Sequence, residues 1–552
     1  MIAFINTIIT YISSCAVLQN VRNSCIAFAE RHRTAIIVCI CLPASFIFDC
    51  VLKLKRTLNK CIFSSPKKHN VRVAQIQSKI KQWNSTPVES RKLLCTSKPN
   101  WMSLSTTFLN KSQLSRIPVD GLNDILSLDT VNLSVRVEPG VTVGEITSYL
   151  VPRRFTLATT LEIADATCGG LAMAVGMTTH SHKVGLFQET VLAYDVIISD
   201  GTLLHVTRDN EYADLFYCLP WSHGTLALLV ALELQIIPVK LYVHLSYIPV
   251  DGQTEYCDRI RQLSGALDTK ATVPDFLEAT VFSKDQAVIM VGRFSDGPQS
   301  IMEWLKVNRC AQWYKPWFYK HVEATISGGI PTDEFIPLRD YLLRHNRSIF
   351  WVLECMIPFG NHPWFRAAFG WLCPPKPAFL KFTTTPGIRR LTVTKQVFQD
   401  IVLPMTVLEE SINQCERLFN MYPLLIYPCR IYDHRSRYIG QLRAPALEQM
   451  TPDADYGMFY DLGVYGVPSA VKNNRPYNPV FAMRQMEKFI RDAGGYSFLY
   501  ADVFMTRSEF EEMFDLTAYE ACRIKYAANV AFPHLYDKIR PEIDVFALGK
   551  LN

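Results

Sequence analysis

The sequence predicts an α+β protein tethered by one N-terminal transmembrane helix, and three observations predict it. An apolar run near the N-terminus carries a single charge, the next stretch mixes strand-like alternation with short capped helices, and the texture after residue 240 turns aromatic and proline-rich. The chain has 552 residues, enough for three or four units at about 100–200 residues each. With 49% hydrophobic and 20% charged residues and a mean hydropathy of +0.07, it is too apolar for an ordinary cytosolic enzyme and far from a disordered chain.

Thr34 to Leu52 (TAIIVCICLPASFIFDCVL) is a 19-residue stretch whose one charge is Asp49, just meeting the roughly 20 residues a helix needs to cross the hydrocarbon core. Lys53, Lys55, Arg56, Lys60, Lys67 and Lys68 follow it, against Arg22, Arg31 and Arg33 before it. The positive-inside bias therefore places the bulk of the chain in the cytosol. Met1 to Gln19 is uncharged but carries Asn6, Thr7, Thr10, Ser13 and Ser14; a second span, an interfacial segment and a signal-like leader all fit it. With a cytosolic body, the sequons at Asn84, Asn110, Asn132 and Asn346 read as chance matches.

The body begins with an amphipathic helix over 71–83, where Val73, Ile76, Ile80 and Trp83 recur near a period of 3.6. Strands are predicted at Trp101 to Leu104 and at Val135 to Val137, the second ended by Glu138-Pro139-Gly140. Thr142 and Glu145 have capping-box spacing, which opens a short helix to about Leu150. Val191 to Ile198, the turn Ser199-Asp200-Gly201 and Thr202 to Val206 predict a β-hairpin. The run Thr225 to Pro238, interrupted by Glu233 and Gln235, is too short for a span and predicts buried core ending as a strand. Beyond 240 no repeat period indicates a solenoid. Thr506 and Glu509 form a second capping box ahead of a helix through Phe510, Met513 and Phe514, and the last seventy residues look packed.

Several chemistries are excluded. The 57 basic and 51 acidic side chains, a net +6, form no basic stripe of the kind nucleic acid requires. The sixteen cysteines contain no CxxC pair, and Cys39 and Cys41 sit one residue apart in an apolar run, so reduced buried thiols are expected. The twelve histidines make no HExxH, the nearest pair being His180 and His182, and no metal is expected.

The informative segment is Thr167-Cys-Gly-Gly-Leu-Ala-Met-Ala-Val-Gly-Met-Thr-Thr179, followed by His-Ser-His-Lys-Val-Gly-Leu-Phe187. Glycines among small and hydroxylated residues let backbone amides approach phosphate oxygens, which points to a nucleotide cofactor, although a tight structural turn has the same composition. Neither GxGxxG nor GxxxxGK[ST] is present, so a simple Rossmann or P-loop reading is removed.

The order of motifs decides more. VEPGVTVGEI, TCGG with SHKVGLF, AYDVIISDGTLLHVT and DLFYCLPWSHGTLALLVALELQIIP together resemble the PCMH-type FAD-binding domain of the vanillyl-alcohol oxidase superfamily. Within it the chain is most similar to the delta(24)-sterol reductases, the animal 24-dehydrocholesterol reductases and the plant Dwarf/Diminuto proteins. The likeness continues through YKPWFYKHVE, EFIPLRDYLLRHNRSIFW, IPFGNHPWFRAAFGW and LYADVFMTRSEFEEMFD, and reaches LPASFIFD in the anchor. It implies residues 1–69 as anchor and linker, 70–240 as two-subdomain FAD-binding domain, 241–480 as α+β substrate cap and 481–552 as a segment packing on the body. It also implies an endoplasmic-reticulum enzyme with non-covalent FAD, recharged by NADPH, that saturates the side-chain double bond of a sterol such as desmosterol. Such an alkene has no carbonyl to polarise, so the chemistry needs a proton at carbon 24, a cation at carbon 25, a hydride and a dry pocket.

Carried over residue by residue, the resemblance assigns cofactor binding to Thr167, Cys168, Gly169, Gly170, Leu171, Ala172, Met173, Ala174, Val175, Gly176, Met177, Thr178, Thr179, His182, Lys183 and Gly185. Trp221, Ser222, Gly224 and Thr225 form the second flavin stretch, and Lys183 is a candidate to neutralise phosphate. Candidates for the acid are Tyr500, Asp502, Tyr465 and His345. The chain departs from the family at Asn100, Ala174 and Ala227, where glycine is usual, and at His180 (serine), Val184 (tyrosine) and His223 (cysteine). Alanine at a positive φ would be strained, so weakened FAD binding is an expectation, with a non-catalytic sterol-binding protein and a flavin-dependent oxidase as the alternatives.

Overall fold

A computed structural model describes residues 32–63, 65–437 and 440–548; the Met1 to Gln19 segment lies outside them. The N-terminal run is helical over Arg33–Ile36, a wider turn Ile37–Cys41, and Leu42–Phe63. Pro43 has no amide proton to continue the ladder, and the turn ahead of it relaxes to π geometry, with the Leu42 amide donating to Ile37 O. The stretch long and apolar enough to cross a membrane is Thr34–Leu58. It outruns the sequence reading because Lys53 pairs with Asp49 one turn back at 2.7 Å and the helix continues through its basic flank. Cys39 and Cys50 on this helix are exposed, unlike most of the described cysteines, which are buried as expected.

Helix His69–Asn84 buries Val73, Ile76, Ile80 and Trp83, the face its periodicity marks. Ahead of the first large sheet, β1 (Leu94–Thr96) pairs in parallel with β2 (Ser115–Ile117). The expected strand at Trp101 to Leu104 is instead a single 3-10 turn, Asn100–Met102. Its backbone has no strand partner; the Asn100 amide bonds Leu109 O at 2.7 Å, and Lys381 Nζ gathers the carbonyls of Ser103, Ser105 and Thr107.

The first large sheet contains β3 (Ile125–Asp129), β4 (Ser134–Val137), β5 (Phe155–Leu157), β6 (Val191–Ile197), β7 (Leu203–Thr207) and β8 (Leu228–Pro238). The order is β3-β4-β8-β6-β7, with β5 also on β8. The predicted hairpin is β6–β7, and the predicted core run is β8. Between β4 and β5, helix Val143–Leu150 starts at the expected capping box, with Glu145 N donating to Thr142 Oγ1 and the Thr142 amide to Glu145 Oε2.

The second sheet has eight strands, in the order β12-β9-β11-β10-β14-β15-β13-β16. These are β9 (Tyr242–Asp251), β10 (Phe276–Ser283), β11 (Gln286–Ser295), β12 (Thr332–Pro337), β13 (Val397–Pro404), β14 (Leu424–Tyr432), β15 (Tyr456–Gly466) and β16 (Tyr496–Ser497). Helices Gln253–Ser264, Leu408–Leu418 and Pro479–Asp492 pack on it through Tyr256, Ile260, Ile412, Met483 and Met486. Every residue of β15 is buried, so both faces of the sheet centre are covered. The second predicted capping box opens helix Arg507–Met513, with Thr506 and Glu509 bonded reciprocally.

Candidate active site

A cleft of ≈ 3140 Å³ runs between the two sheets, well above the roughly 300–1,000 Å³ that one drug-sized ligand occupies. It has room for a dinucleotide and a large apolar molecule together. One wall is the glycine-rich segment. Thr167 Oγ1 accepts from Gly170 N and starts the short helix Cys168–Met173. A Cβ on Gly169 would lie 2.3 Å from Pro139 Cβ, so packing requires this glycine, and one on Gly176 would stand tightly against Leu171 Cδ2 at 3.0 Å. Gly170 is exposed and faces the cleft. Thr167, Leu171, Met173, Ala174, Val175, Met177 and Gly224 complete this wall.

The other expected cofactor residues stand elsewhere. Cys168 and Ala172 are buried behind the wall. Thr178 donates to Glu162 Oε1 at 3.1 Å, and Thr179 accepts from the Tyr341 hydroxyl at 3.3 Å. His182 Nε2 donates to Pro274 O at 2.9 Å, and Lys183 pairs with Asp275 at 2.8 Å. Gly185, at φ +87°, lies against Glu189 and Tyr432. His182, Lys183 and Gly185 therefore fasten the first sheet's loop to the second sheet, and the expectation that Lys183 meets a phosphate is corrected by its ion pair. Trp221 is buried with its Nε1 on Gln188, while Ser222 Oγ bonds Leu219 O and Thr225 Oγ1 bonds the Tyr519 hydroxyl. This turn caps the glycine-rich helix, as Trp221 N donates to Ala174 O and His223 N to Met173 O.

Charge in the cleft fits a pyrophosphate better than Lys183 does. Lys98, Lys111 and Lys538 line it together with Gly170 and Gly224, as does Arg56, which is paired with Glu145 at 2.6 Å. Lys111 is tied to the Thr96 and Lys98 carbonyls and Lys538 to His223 O, but among the described residues no acceptor meets the Lys98 ammonium. Burial, then Lys111 and Arg56, pull its pKa down to about 8. An anion placed beside it would favour its charged form again.

None of the three departures from glycine stands at a positive φ. Ala174 has φ −109°, and neither Asn100 nor Ala227 is among the residues of positive φ. All three line the cleft, Asn100 is folded back on Leu109, and the strain expected of an alanine at positive φ does not arise. His180 bonds Asp275 O, and His223, at φ +51°, has an Nε2 without a partner among the described residues.

The opposite wall is one face of the second sheet. Asp461, Gly463 and Tyr465 alternate along β15, with Asp400 of β13 opposite Gly463 and Tyr427 of β14 opposite Asp461. The hydroxyls of Tyr465 and Tyr500 donate to the two oxygens of Asp400, and all these side chains line the cleft except the glycine's absent one. Burial raises the Asp400 carboxyl to about 6, and burial and then Asp400 push Asp461 well above the carboxylate range. Asp461 Oδ1 has no partner among the described residues. The result is a pair of buried carboxyls whose charged forms burial disfavours, in an apolar wall with two tyrosines whose own pKa values burial drives upward.

Two candidate acids fall away. Asp502 is held bidentately by Arg389 at 2.6 and 2.5 Å, and Arg389 also pairs with Glu542 at 2.8 Å, so its carboxylate is spent in a structural ion pair. His345 lies under the cleft wall, with Nε2 on Glu278 at 2.9 Å and its pKa lowered by burial. It belongs to a buried network in which Arg344 bridges Glu278 at 2.6 Å, Glu162 at 3.4 Å and the Tyr427 hydroxyl at 3.0 Å. Burial would raise Glu278, but Arg344 and His345 outweigh it and hold it down at about 2, while burial wins at Glu162, raised to about 7. Sequence reasoning missed Asp400 and Asp461. Each is the lone carboxylate of an apolar strand, VFQDIVLP and YGMFYDLGVYG, and that was the available signal.

A glycine-lined, cation-flanked wall facing a buried acid across a large cleft defines a flavin-dependent oxidoreductase, and the family model described as FAD binding domain matches residues 103–207. The chain is 38% identical over 525 residues to a delta(24)-sterol reductase homolog of Caenorhabditis elegans, covering 93% of this chain and 96% of that one. It is 37% identical to the delta(24)-sterol reductase of Homo sapiens, over 94% and 96%, and 33% identical to that of Arabidopsis thaliana, over 92% and 91%. The chain belongs to the delta(24)-sterol reductase family.

Proposed function

We propose that this chain is an FAD-dependent, NADPH-driven reductase of the delta-24 side-chain double bond of sterols, embedded by its N-terminal helix in the endoplasmic-reticulum membrane with a cytosolic body. The observation that carries it is the pairing of the two cleft walls: a cofactor wall at 167–177 and an acid wall of Asp400, Asp461, Tyr465 and Tyr500. Division of labour along the chain follows the same lines, with 70–240 binding FAD, 241–480 receiving the sterol and 481–552 returning Tyr500 to the site.

FAD, when bound, supplies the hydride. The residues of the chain do the rest. Lys98, with Lys538 and the Gly170 and Gly224 backbone, takes the pyrophosphate charge. The Asp400–Asp461 pair stores a proton, and Tyr500 hands it to carbon 24 and is reprotonated from the pair. Protonation at carbon 24 would leave a tertiary cation at carbon 25 for a hydride supplied by bound FAD, so that one proton and one hydride would add across the double bond. Apolar lining keeps water from the cation.

The test is the visible spectrum of detergent-purified protein, then anaerobic bleaching by NADPH and reoxidation by desmosterol. Reoxidation by desmosterol with formation of the saturated sterol is expected. Absence of a flavin band after added FAD, or reoxidation by oxygen alone, overturns the reading.

A further inference from the structure

A second apolar surface lies beside the membrane helix. The turn Gly370–Leu372 and helix Pro377–Phe382 pack directly on it, and helix Pro363–Phe369 leads straight into that turn: Phe46 meets Trp371 edge-on at 5.2 Å, Phe48 meets Phe379 and Phe382, and Lys376 N donates to Ser45 Oγ at 2.8 Å. Leu42 and Ser45 are buried by this contact, while Ile40, Ile47, Val51, Leu54 and Leu58 make an exposed apolar stripe along the same helix. Next to that stripe the docked helices expose Trp364 (53%), Trp371 (50%) and Phe382 (58%), with Phe359 and Phe369 also exposed. Large aromatics exposed together mark a surface that meets a partner.

The charges show which partner. From Cys355 to Gln399 the chain has no Asp or Glu. Its cations turn inward: Arg366 donates to the carbonyls of Asn361 and Tyr314, Lys381 to those of Ser103, Ser105 and Thr107, and Arg389 to Asp502 and Glu542. The exposed cations, Arg390 and Lys395, lie past the aromatics toward the cleft. Exposed Trp and Phe, absent acids, inward-turned cations and a basic rim are the composition of a surface seated at the hydrocarbon–headgroup boundary.

We propose that helices Pro363–Phe369 and Pro377–Phe382 are inserted in the lipid leaflet beside the N-terminal helix, forming with it one continuous bilayer-facing surface. The cleft reaches this surface, since Ile36, Ile37 and Cys41 of the membrane helix and Lys376, Leu380 and Leu391 line it together. A lipid-dissolved substrate then enters from the leaflet without crossing water; this consequence rests on the sterol reading, whereas the insertion does not.

The test uses the full chain in phosphatidylcholine vesicles, with p-benzoylphenylalanine replacing Trp364, Trp371 or, as control, Val131, which is exposed on the β3–β4 turn. After irradiation, mass spectrometry reads adducts on the tryptic peptides. Phospholipid adducts at 364 and 371 at least tenfold above those at 131 are expected. Equal adduct levels at all three positions, or cross-links from 364 and 371 to a second copy of the chain, overturn the proposal. Phe359 and Phe382 serve as replacement positions if either tryptophan variant fails to fold. Since no sterol turnover is read, failure here leaves the reductase reading standing, and failure of that reading leaves insertion testable.

Discussion

Tyr500 and Asp400, far apart in sequence, are joined by a hydrogen bond from the tyrosine hydroxyl to Oδ2, and Phe498 N donates to Asp400 O at 2.9 Å to hold the two segments in register. The bond ties the C-terminal segment to β13, next to the edge strand of the second sheet, and leaves a proton donor at the cleft wall. Replacing the hydroxyl alone, Tyr500→Phe, is expected to keep FAD bound and slow sterol reduction by about 10²-fold or more, the usual span of lost general acid catalysis. Flavin absorbance and single-turnover reoxidation by desmosterol measure the two effects separately. Unchanged turnover removes Tyr500 from the mechanism.

Gly463 makes the neighbouring tyrosine's reach possible. A Cβ there would stand 2.9 Å from the Tyr465 hydroxyl and 3.0 Å from Leu425 Cβ. The backbone of β15 is fixed by pairing on both sides, so the tyrosine must yield. Gly463→Ala is expected to lift Tyr465 from Asp400 and lower kcat by up to about 10²-fold, as small misplacements do. The flavin content should be unchanged, since the cofactor wall is on the other side. Loss of flavin in this variant would show that the two walls are not independent.

Arg344 is the hub that joins Glu162 on the cofactor wall's segment to Glu278 on the second sheet. Removing one member of a buried ion network leaves the others charged and unpaired, at a cost of about 3–5 kcal/mol. Arg344→Ala should therefore lower the unfolding midpoint sharply by circular dichroism. Arg344→Ala combined with Glu278→Gln should recover part of the loss. A double variant no more stable than the single one would contradict the network account.

The elements with local physics were legible in the sequence. Thr142 with Glu145 and Thr506 with Glu509 announce helices because the cap needs only four consecutive residues, and Val73, Ile76, Ile80 and Trp83 announce a face because the helix period is fixed. Trp101 to Leu104 misled because apolar residues do not reveal whether a strand partner exists; here Lys381, far along the chain, takes the carbonyls instead. The site divides the same way. The glycine-rich turn was legible as composition, though Gly169 turns out to be a packing glycine. Asp502 stood out as an acid candidate while Asp400 did not, and only tertiary pairing with Arg389 shows Asp502 to be a structural carboxylate.

Glu487 offers a test of burial alone. It is buried in helix Pro479–Asp492, with Oε1 accepting from Phe504 N at 2.7 Å and Oε2 meeting no partner among the described residues. Burial raises its pKa from 4.5 to about 8, and the Phe504 amide, Arg484 and Arg491 offset this only in part. The native state thus binds this proton more tightly than the unfolded chain does, so the group's penalty is absent below pH 4.5 and grows as pH rises toward 8. Glutamine resembles the protonated acid and keeps the acceptor for Phe504. Glu487→Gln is therefore expected to leave the unfolding free energy nearly unchanged at pH 4.5 and to raise it at pH 9, on the order of a few kcal/mol. Denaturant unfolding of wild type and variant at the two pH values checks it: a stabilisation that does not grow with pH would mean that Glu487 is ionised in the folded protein.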